Sequence, residues 1–382
     1  MNEQRCTGTG RNSSLDDLVA LLQTEQPRQL DVVAPARTIT ARDGSLVLAG
    51  TDPVLGPDGV DLTDGTYTPT TIADEGLADK LQIPLPYLRR LRETHLPLYD
   101  ANINGWFQHP AQQNRALLVR ALRPSTGSGP GVARAVLSDR YRPVDNLDVL
   151  LAALDGIRQA GGPVTVDGAD LTDRRMYLRI RSDTVRLAAP TLLDGYTSPF
   201  TGARGADNPI VWAGFTVTNS ETGCGAFTIT PRLVVEICTN GMTITKDAVR
   251  AVHLGGRLDD GVITWSSDTQ RKAIALVTAK ARDAVAAFLN PDYLHRTLAR
   301  LERAAATPID DPAATITHIA SQLHFTADEQ TRILSHFIRG GDLRSAGVLH
   351  AVTSTAQTLP DADRAHDLEA QALRALHLAA TV

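Results

Sequence analysis

The sequence predicts an α+β protein, with a central, mostly antiparallel sheet carrying a few helices and then a helical C-terminal unit. Three observations lead there. Between residues 115 and 245, short runs rich in β-branched residues are separated by turn residues, which reads as a series of strands. From Thr269 onward, apolar residues recur every three to four positions, the spacing of one helix face. Strands first and helices afterwards is the order of an α+β chain, not of the repeated strand–helix units that build a parallel sheet. At 382 residues the chain is long enough for about two or three units. They are read as 1–65 (helix, hairpin and linker), 66–268 (central α+β domain) and 269–382 (helical region).

Each element has a local reason. Ser13 or Ser14, followed by Asp16 and Asp17, caps a short amphipathic helix through Leu15, Leu18, Val19 and Leu22 that fades at Pro27. Arg37–Arg42 and Ser45–Ala49 flank Asp43-Gly44, a pair that tolerates the positive φ of a tight hairpin. Residues 50–70, rich in Asp, Gly, Pro and Thr, read as loop or linker. Helices over Thr71–Leu81 and Pro84–Thr94 follow, either a helix-turn-helix or the commoner short helical hairpin.

In the central block, Arg115–Leu122 and Arg134–Leu137 are strands. Asp145 or Asn146 then caps a helix through Leu147, Leu150, Leu151 and Leu154 that stops at Gly161-Gly162-Pro163. Further strands are expected over 163–166, 175–181, 210–218, 226–230, 233–238 and 242–245, the last two joined by the hairpin pair Asn240-Gly241. The helical part runs Thr269–Leu289, a restart at Asn290-Pro291 through Leu294, Leu298 and Leu301, then 312–323, 327–339, 343–358 and 362–378.

Composition narrows the function classes. With 42% hydrophobic and 21% charged residues a core is affordable and wholesale disorder is excluded, while 4% aromatics leaves the packing to aliphatic side chains. No apolar run approaches a membrane span, so no membrane partner is expected, and the first residues lack the apolar stretch of a secretion signal. Cys6, Cys224 and Cys238 form no C-x-x-C pair, against a disulfide framework or a cysteine-rich zinc site. The histidines form no ligand motif, and no phosphate-loop, nucleophile-elbow or dinucleotide signature occurs. No metal, no other cofactor and a non-enzymatic role are therefore expected.

The net charge of −5 hides an asymmetry: residues 1–79 carry −8, residues 80–301 carry +7 and residues 302–382 carry −4. A basic middle is either an anion-binding surface or a set of solvated charges. Of the 38 basic residues 34 are arginine, which suits planar contacts to phosphate but also follows from an arginine-rich coding bias.

Asp173–Arg186 is the most informative segment. As a strand it points Met176, Leu178 and Ile180 one way and Arg175, Tyr177, Arg179 and Arg181 the other. Three guanidiniums around a ring either grip phosphates and stack a base, or solubilise an exposed strand with Tyr177 packed between arginine stems. Arg140 and Arg142 project from a turn stiffened by Pro143 at a helix N-terminus, an environment that favours anions; alternatively Asp139 pairs with an arginine and Asp145 merely caps the helix. Glu221, in Asn219-Ser220-Glu221-Thr222-Gly223, is either a metal ligand or base or part of a polar turn. Cys238 is either a nucleophile or a buried structural cysteine.

Three of these stretches together resemble one family. Ala135–Asn146 (with Ser138, Asp139, Arg140, Tyr141, Arg142, Asp145 and Asn146), Thr218–Gly223 (with Asn219, Ser220 and Glu221) and Cys238–Met242 (with Cys238, Asn240 and Gly241) are similar in order and spacing to the phage/plasmid-like proteins of domain of unknown function 932. Leu77–Pro84 with Tyr87, and Gly347–Gln357, fit the same pattern, so the resemblance spans about residues 70–378. It implies no established activity, cofactor or catalytic residue. It implies a mobile-element protein of the bacterial cytoplasm, found near genes for DNA processing and evasion of host defence. The motif residues are either functional or folding determinants.

The leading expectation is a non-enzymatic single-stranded nucleic-acid binder in replication, annealing recombination or establishment. Arg140, Arg142, Arg175, Arg179 and Arg181 would sit on phosphates and Tyr177 on a base; annealing proteins commonly assemble, so a homo-oligomer belongs to this expectation. One rival is a metal-dependent nuclease or other hydrolase built on Asp139, Asp145 and Glu221. The other is a module in residues 269–382 that binds and blocks a host defence enzyme.

Overall fold

Local capping and turn chemistry set the first elements of the computed structural model, which describes residues 10–56, 59–125, 129–141, 144–238, 241–251 and 267–381. After strand β1 (Gly10–Ser13), Ser14 Oγ accepts the Asp17 N–H while the Asp17 carboxylate accepts the Ser14 N–H, a reciprocal cap that starts α1 (Leu15–Glu25). β2 (Gln29–Pro35) leads to the hairpin β3 (Ile39–Arg42) and β4 (Ser45–Leu48). Its corner residues Asp43 and Gly44 take φ of 51° and 74°, the two left-handed positions that twist-matched hairpins require. The stretch expected as linker instead holds β5 (Val54–Gly56), β6 (Gly59–Asp61) and β7 (Gly65–Pro69).

Three helices follow: α2 (Thr71–Leu81), α3 (Leu85–Thr94) and α4 (Leu96–Gln108), the last with no counterpart in the sequence reading. Gln82 ends α2 in the left-handed conformation at φ 58°. Asp74 of α2 ion-pairs with Arg92 of α3 and accepts the Tyr99 hydroxyl of α4 at 2.7 Å. The trio thus packs as a unit on a sheet, the helical-hairpin reading extended by one helix. Next come β8 (Ala116–Leu122), β9 (Gly131–Ser138), α5 (Asn146–Ala160), β10 (Val164–Leu171), β11 (Met176–Ala188), α6 (Pro190–Leu193), β12 (Ile210–Asn219), β13 (Phe227–Val235), β14 (Gly241–Thr243) and β15 (Val249–Ala251). The chain ends in α7 (Ser267–Phe288), α8 (Pro291–Ala305), α9 (Pro312–Leu323), α10 (Ala327–Gly340), α11 (Ser345–Thr358) and α12 (Ala362–Ala379). No described helix is long and apolar enough to cross a membrane.

Two large sheets organise these elements, and the α+β class holds. The first has the order β2-β8-β9-β7-β4-β3 and is antiparallel except where β7 runs parallel to β9. The second, fully antiparallel, has the order β1-β10-β11-β12-β13-β14, with β15 also on β13. The expected boundary at residue 65 does not follow this division. β2 pairs with β8 along its whole length, so strands on both sides of residue 65 share the first sheet, while β1 joins the second and β5–β6 form a separate two-stranded ladder. Residues 226–230 and 233–238, expected as two strands, are mostly one. Pro231 is tolerated inside β13 because β15 pairs with Phe227–Ile229 and β14 with Arg232–Val234, so the missing N–H falls between two short partners.

Three aliphatic cores result. One lies between the first sheet and α2–α4, around Leu77, Tyr99, Phe107 and Val119. A second covers the Met176, Leu178 and Ile180 face of β11 with α1, α5 and α7. The third surrounds α11, which is buried from Ser345 to Ala356, with α8, α9, α10 and α12, and reaches Val211, Leu233 and Met242 of the second sheet. The expected helical C-terminal region is present as α7–α12; within it α7 packs on the second core and α8–α12 form a bundle around the third.

Two histidines are sealed into that bundle. Burial, with Arg339 and Arg332 nearby, pulls the His336 pKa below its ordinary 6.5. Burial does the same to His350, opposed by the hydrogen bond between its Nε2 and the Leu192 carbonyl. Both are held neutral in the folded chain, while in the unfolded chain they charge below about 6.5. Their contribution is complete above that pH and is lost as pH falls through their lowered folded values. Thermal melting should therefore drop between about pH 7.5 and about pH 5.5, and His350→Gln should flatten the drop. A melting temperature independent of pH over this interval would contradict the assignment.

Candidate anion-binding site

The first two motif stretches meet where the sheets join. Arg120 of β8, 2% exposed, donates from Nε to Asp31 at 2.8 Å, from Nη2 to Asp145 at 2.6 Å and from Nη1 to the Glu221 backbone carbonyl at 2.8 Å. Burial opposes its charge, but Asp31, Asp145 and Glu221 outweigh it and hold the guanidinium protonated. The Glu221 carboxylate lies 2.5 Å from Arg134 Nη2 of β9 and accepts the Asn146 N–H at the start of α5. Asn219 Nδ2 donates to Val144 O at 3.0 Å and Asn146 Oδ1 at 2.9 Å. The Tyr141 hydroxyl donates to Ser220 O, and Ser220 Oγ donates to Arg174 O. The expected Asp145 side-chain cap is absent because that carboxylate is turned onto Arg120; a distant glutamate holds the helix N-terminus instead.

This chemistry is that of a clasp. Asp145 and Glu221, the carboxylates of the nuclease reading, are each engaged by a buried arginine. Asp139 accepts from Ser138 Oγ at 3.3 Å. Among the described residues, no three His, Cys, Asp or Glu side chains form a group able to hold a metal ion. Arg140 lies on an exposed turn after β9, its N–H bonded to Ser138 Oγ, and Arg142 and Asn240 fall outside the described residues.

The alternation on β11 is as read, but the polar face is covered. β1 forms the sheet edge beside β10, and α12 lies over the face itself. Tyr177 is 4% exposed: its ring stacks on His366 at 3.8 Å between centroids, and its hydroxyl donates to Asp363 at 2.8 Å. A base cannot reach it without displacing α12, which corrects the stacking role. Arg175 donates to Cys224 O from Nε and Nη2 at 3.1 and 2.6 Å. Arg181 reaches Asp167 at 3.2 Å and lies over the Trp212 ring at 4.9 Å. An open track of arginines along the strand is thus not formed, because local partners take these groups.

Arg179 differs. With Arg11 and Arg232 it lines a cavity of about 320 Å³ beneath β1, completed by Asn12, Asp167, Gln357 and Glu369. Asn12, in the left-handed conformation at φ 54°, turns its N–H to Asp170 at 2.6 Å and its side-chain oxygen to Arg179 Nη2 at 2.6 Å. Arg11 Nη2 donates to Ala356 O at the end of α11. Arg232, 3% exposed, has Asp167 and Glu369 each at 3.6 Å, beyond hydrogen-bond length. Arg11 Nε, Arg179 Nε, Arg232 Nε and Arg232 Nη1 make no hydrogen bond to any described residue, and of the carboxylate oxygens on this wall Glu369 Oε2 makes none. Burial pulls the Arg179 pKa below its ordinary value; Asp170 opposes this, and Arg232 and Arg11 reinforce it.

The third motif stretch meets this cavity. A Cβ on Gly241 would sit 1.9 Å from Arg232 Nε, so only glycine lets the guanidinium lie against β14. Cys238, buried in the bundle core, accepts through its carbonyl from the cavity residue Gln357 at 3.2 Å. Sequence reasoning passed over Arg11, Asn12, Asp167, Arg232, Gln357 and Glu369. The one legible signal was Arg232, a lone charge in the apolar run that precedes the Asn240-Gly241 pair in sequence.

Compared with protein-family models, curated proteins and solved structures, the chain matches none of them, and the resemblance drawn above stands on its motif residues alone.

Glu221→Ala should cost about 3–5 kcal/mol, because it strands Arg134 and weakens the field around Arg120 in a buried setting. Urea unfolding measures this, and a midpoint equal to wild type would remove the clasp from the account.

Proposed function

We propose that the chain is a non-enzymatic nucleic-acid-binding protein that anchors a phosphate group in the Arg11–Arg179–Arg232 cavity. One observation carries this reading: four buried guanidinium nitrogens make no hydrogen bond to any described residue, and the carboxylates nearest Arg232 stand 3.6 Å away. Buried polar groups are nearly always satisfied, and a donor excess is met by an acceptor-rich guest. Guanidiniums favour the planar oxygens of phosphate, and their mutual repulsion around Arg179 is relieved by an anion. The motif resemblance, through its setting among DNA-processing genes, favours nucleic acid over other phosphorylated ligands. The reading differs from the sequence expectation in scale: one phosphate is held in a cavity, and Arg175, Tyr177 and Arg181 are engaged by Cys224, Asp363 and Asp167 instead.

A scale argument distinguishes the two. Each phosphate neutralised on a single strand adds about −0.7 to the slope of log affinity against log salt. A track of five arginines would give a steep slope, and one cavity holding one phosphate a slope of about −0.7. Fluorescence anisotropy with a 5′-phosphorylated oligonucleotide, the same strand without the phosphate, and adenosine monophosphate as competitor reads both quantities. The phosphorylated strand should bind below ~10 µM at ~50 mM salt with the shallow slope. Arg232→Ala should weaken it at least tenfold, about 1.4 kcal/mol or more, and Gly241→Ala should act in the same direction by displacing the guanidinium. Competition by the mononucleotide alone would make the ligand a free nucleotide. Absence of any salt-sensitive binding would end the proposal.

A further inference from the structure

A second hollow, of about 500 Å³, lies where α8, α9 and α12 meet the turn that follows β14. Its floor is apolar: Ile244 and Leu301 are buried, and Leu373 and Leu378 of α12 complete it. Its rim is cationic, with Lys246, Arg300 and Arg374, and no aspartate or glutamate lines it. None of these three makes an ion pair with a described residue. That sets them apart from Arg92, Arg120, Arg134, Arg174 and Arg364, each of which is neutralised by a carboxylate.

We infer that this hollow binds an amphipathic anion of the fatty-acid type, with the acyl chain on the leucine floor and the head group among the three cations. Both halves of the wall are needed for the assignment. A neutral apolar guest would leave the converging cations without compensation. An inorganic anion would leave the apolar floor in water, forfeiting the larger share of the binding energy. A nucleotide base finds no aromatic ring to stack on except the imidazole of His377. The volume is within the range of about 300–1,000 Å³ typical of small-molecule sites. This site is independent of the phosphate cavity, with which it shares no residue.

The test titrates the full chain with laurate by calorimetry, beside dodecyltrimethylammonium and inorganic phosphate. Laurate should bind one per chain, at least tenfold more tightly than either control, and more weakly as salt is raised. The double variant Lys246→Glu/Arg374→Glu, at two exposed positions, should lose at least tenfold in laurate affinity. Its melting temperature and its binding of the 5′-phosphorylated oligonucleotide should equal wild type. The inference fails if the cationic amphiphile binds as well as laurate, if laurate binds Arg232→Ala, whose phosphate cavity is disabled, no better than phosphate does, or if a folded double variant keeps wild-type affinity. The head-group series on the wild type decides the matter even if the variant does not fold.

Discussion

Glu221 sits where the two sheets and the start of α5 converge, nearly excluded from water, and its charge has to be matched there by Arg134 and the Asn146 N–H. Arg120, equally buried, is matched by Asp31 and Asp145 and by the Glu221 carbonyl. The members come from β2, β8, β9, the start of α5 and the turn after β12, so satisfying one forces the register of the others. Desolvated ions tolerate few arrangements, and that intolerance gives the joint one geometry where an apolar joint would accept several. The polar turn at 219–224 and the loop before α5 are therefore best understood as the two halves of one lock.

The lock has a consequence along β11. With the second sheet fixed against the first, its apolar face is closed by α1, α5 and α7, and its arginine face becomes the floor on which α12 rests. A helix laid over charged groups has to neutralise them. Asp363 accepts from the Tyr177 hydroxyl and His366 shares a hydrogen bond with Asp170, but around Arg232 the nearest carboxylates stop at 3.6 Å. The cavity is what remains when a face rich in guanidinium is roofed by too little negative charge held too far away. β1 seals it, with a left-handed asparagine contributing both a donor and an acceptor.

The two proposed sites divide anion recognition between them. One is polar throughout, with buried guanidiniums preset by Gly241, Asn12 and Asp170, which costs little reorganisation on binding. The other pairs an apolar floor with exposed cations, so its selectivity rests on hydrophobic area first and charge second.

What was legible in the sequence is what short-range chemistry controls. The Ser14–Asp17 cap, the Asp43-Gly44 corner, the stop at Gly161, the restart at Asn290-Pro291 and the alternation of Met176, Leu178 and Ile180 with Arg175, Tyr177 and Arg179 all depend on neighbours within a few residues. Strand β7 and helix α4 escaped notice because weak local signals there are overridden by pairing and packing partners farther along the chain. Alternation shows that two sets of side chains part company, but not which set meets solvent. That depended on α12, some 186 residues downstream of Tyr177. The sequence by itself determined most of the elements and the two faces of β11. The tertiary structure alone decided that both faces are buried, that Glu221 is a clasp, and that Arg11, Arg179 and Arg232 share a cavity, because long-range electrostatic matching has no signature in local spacing.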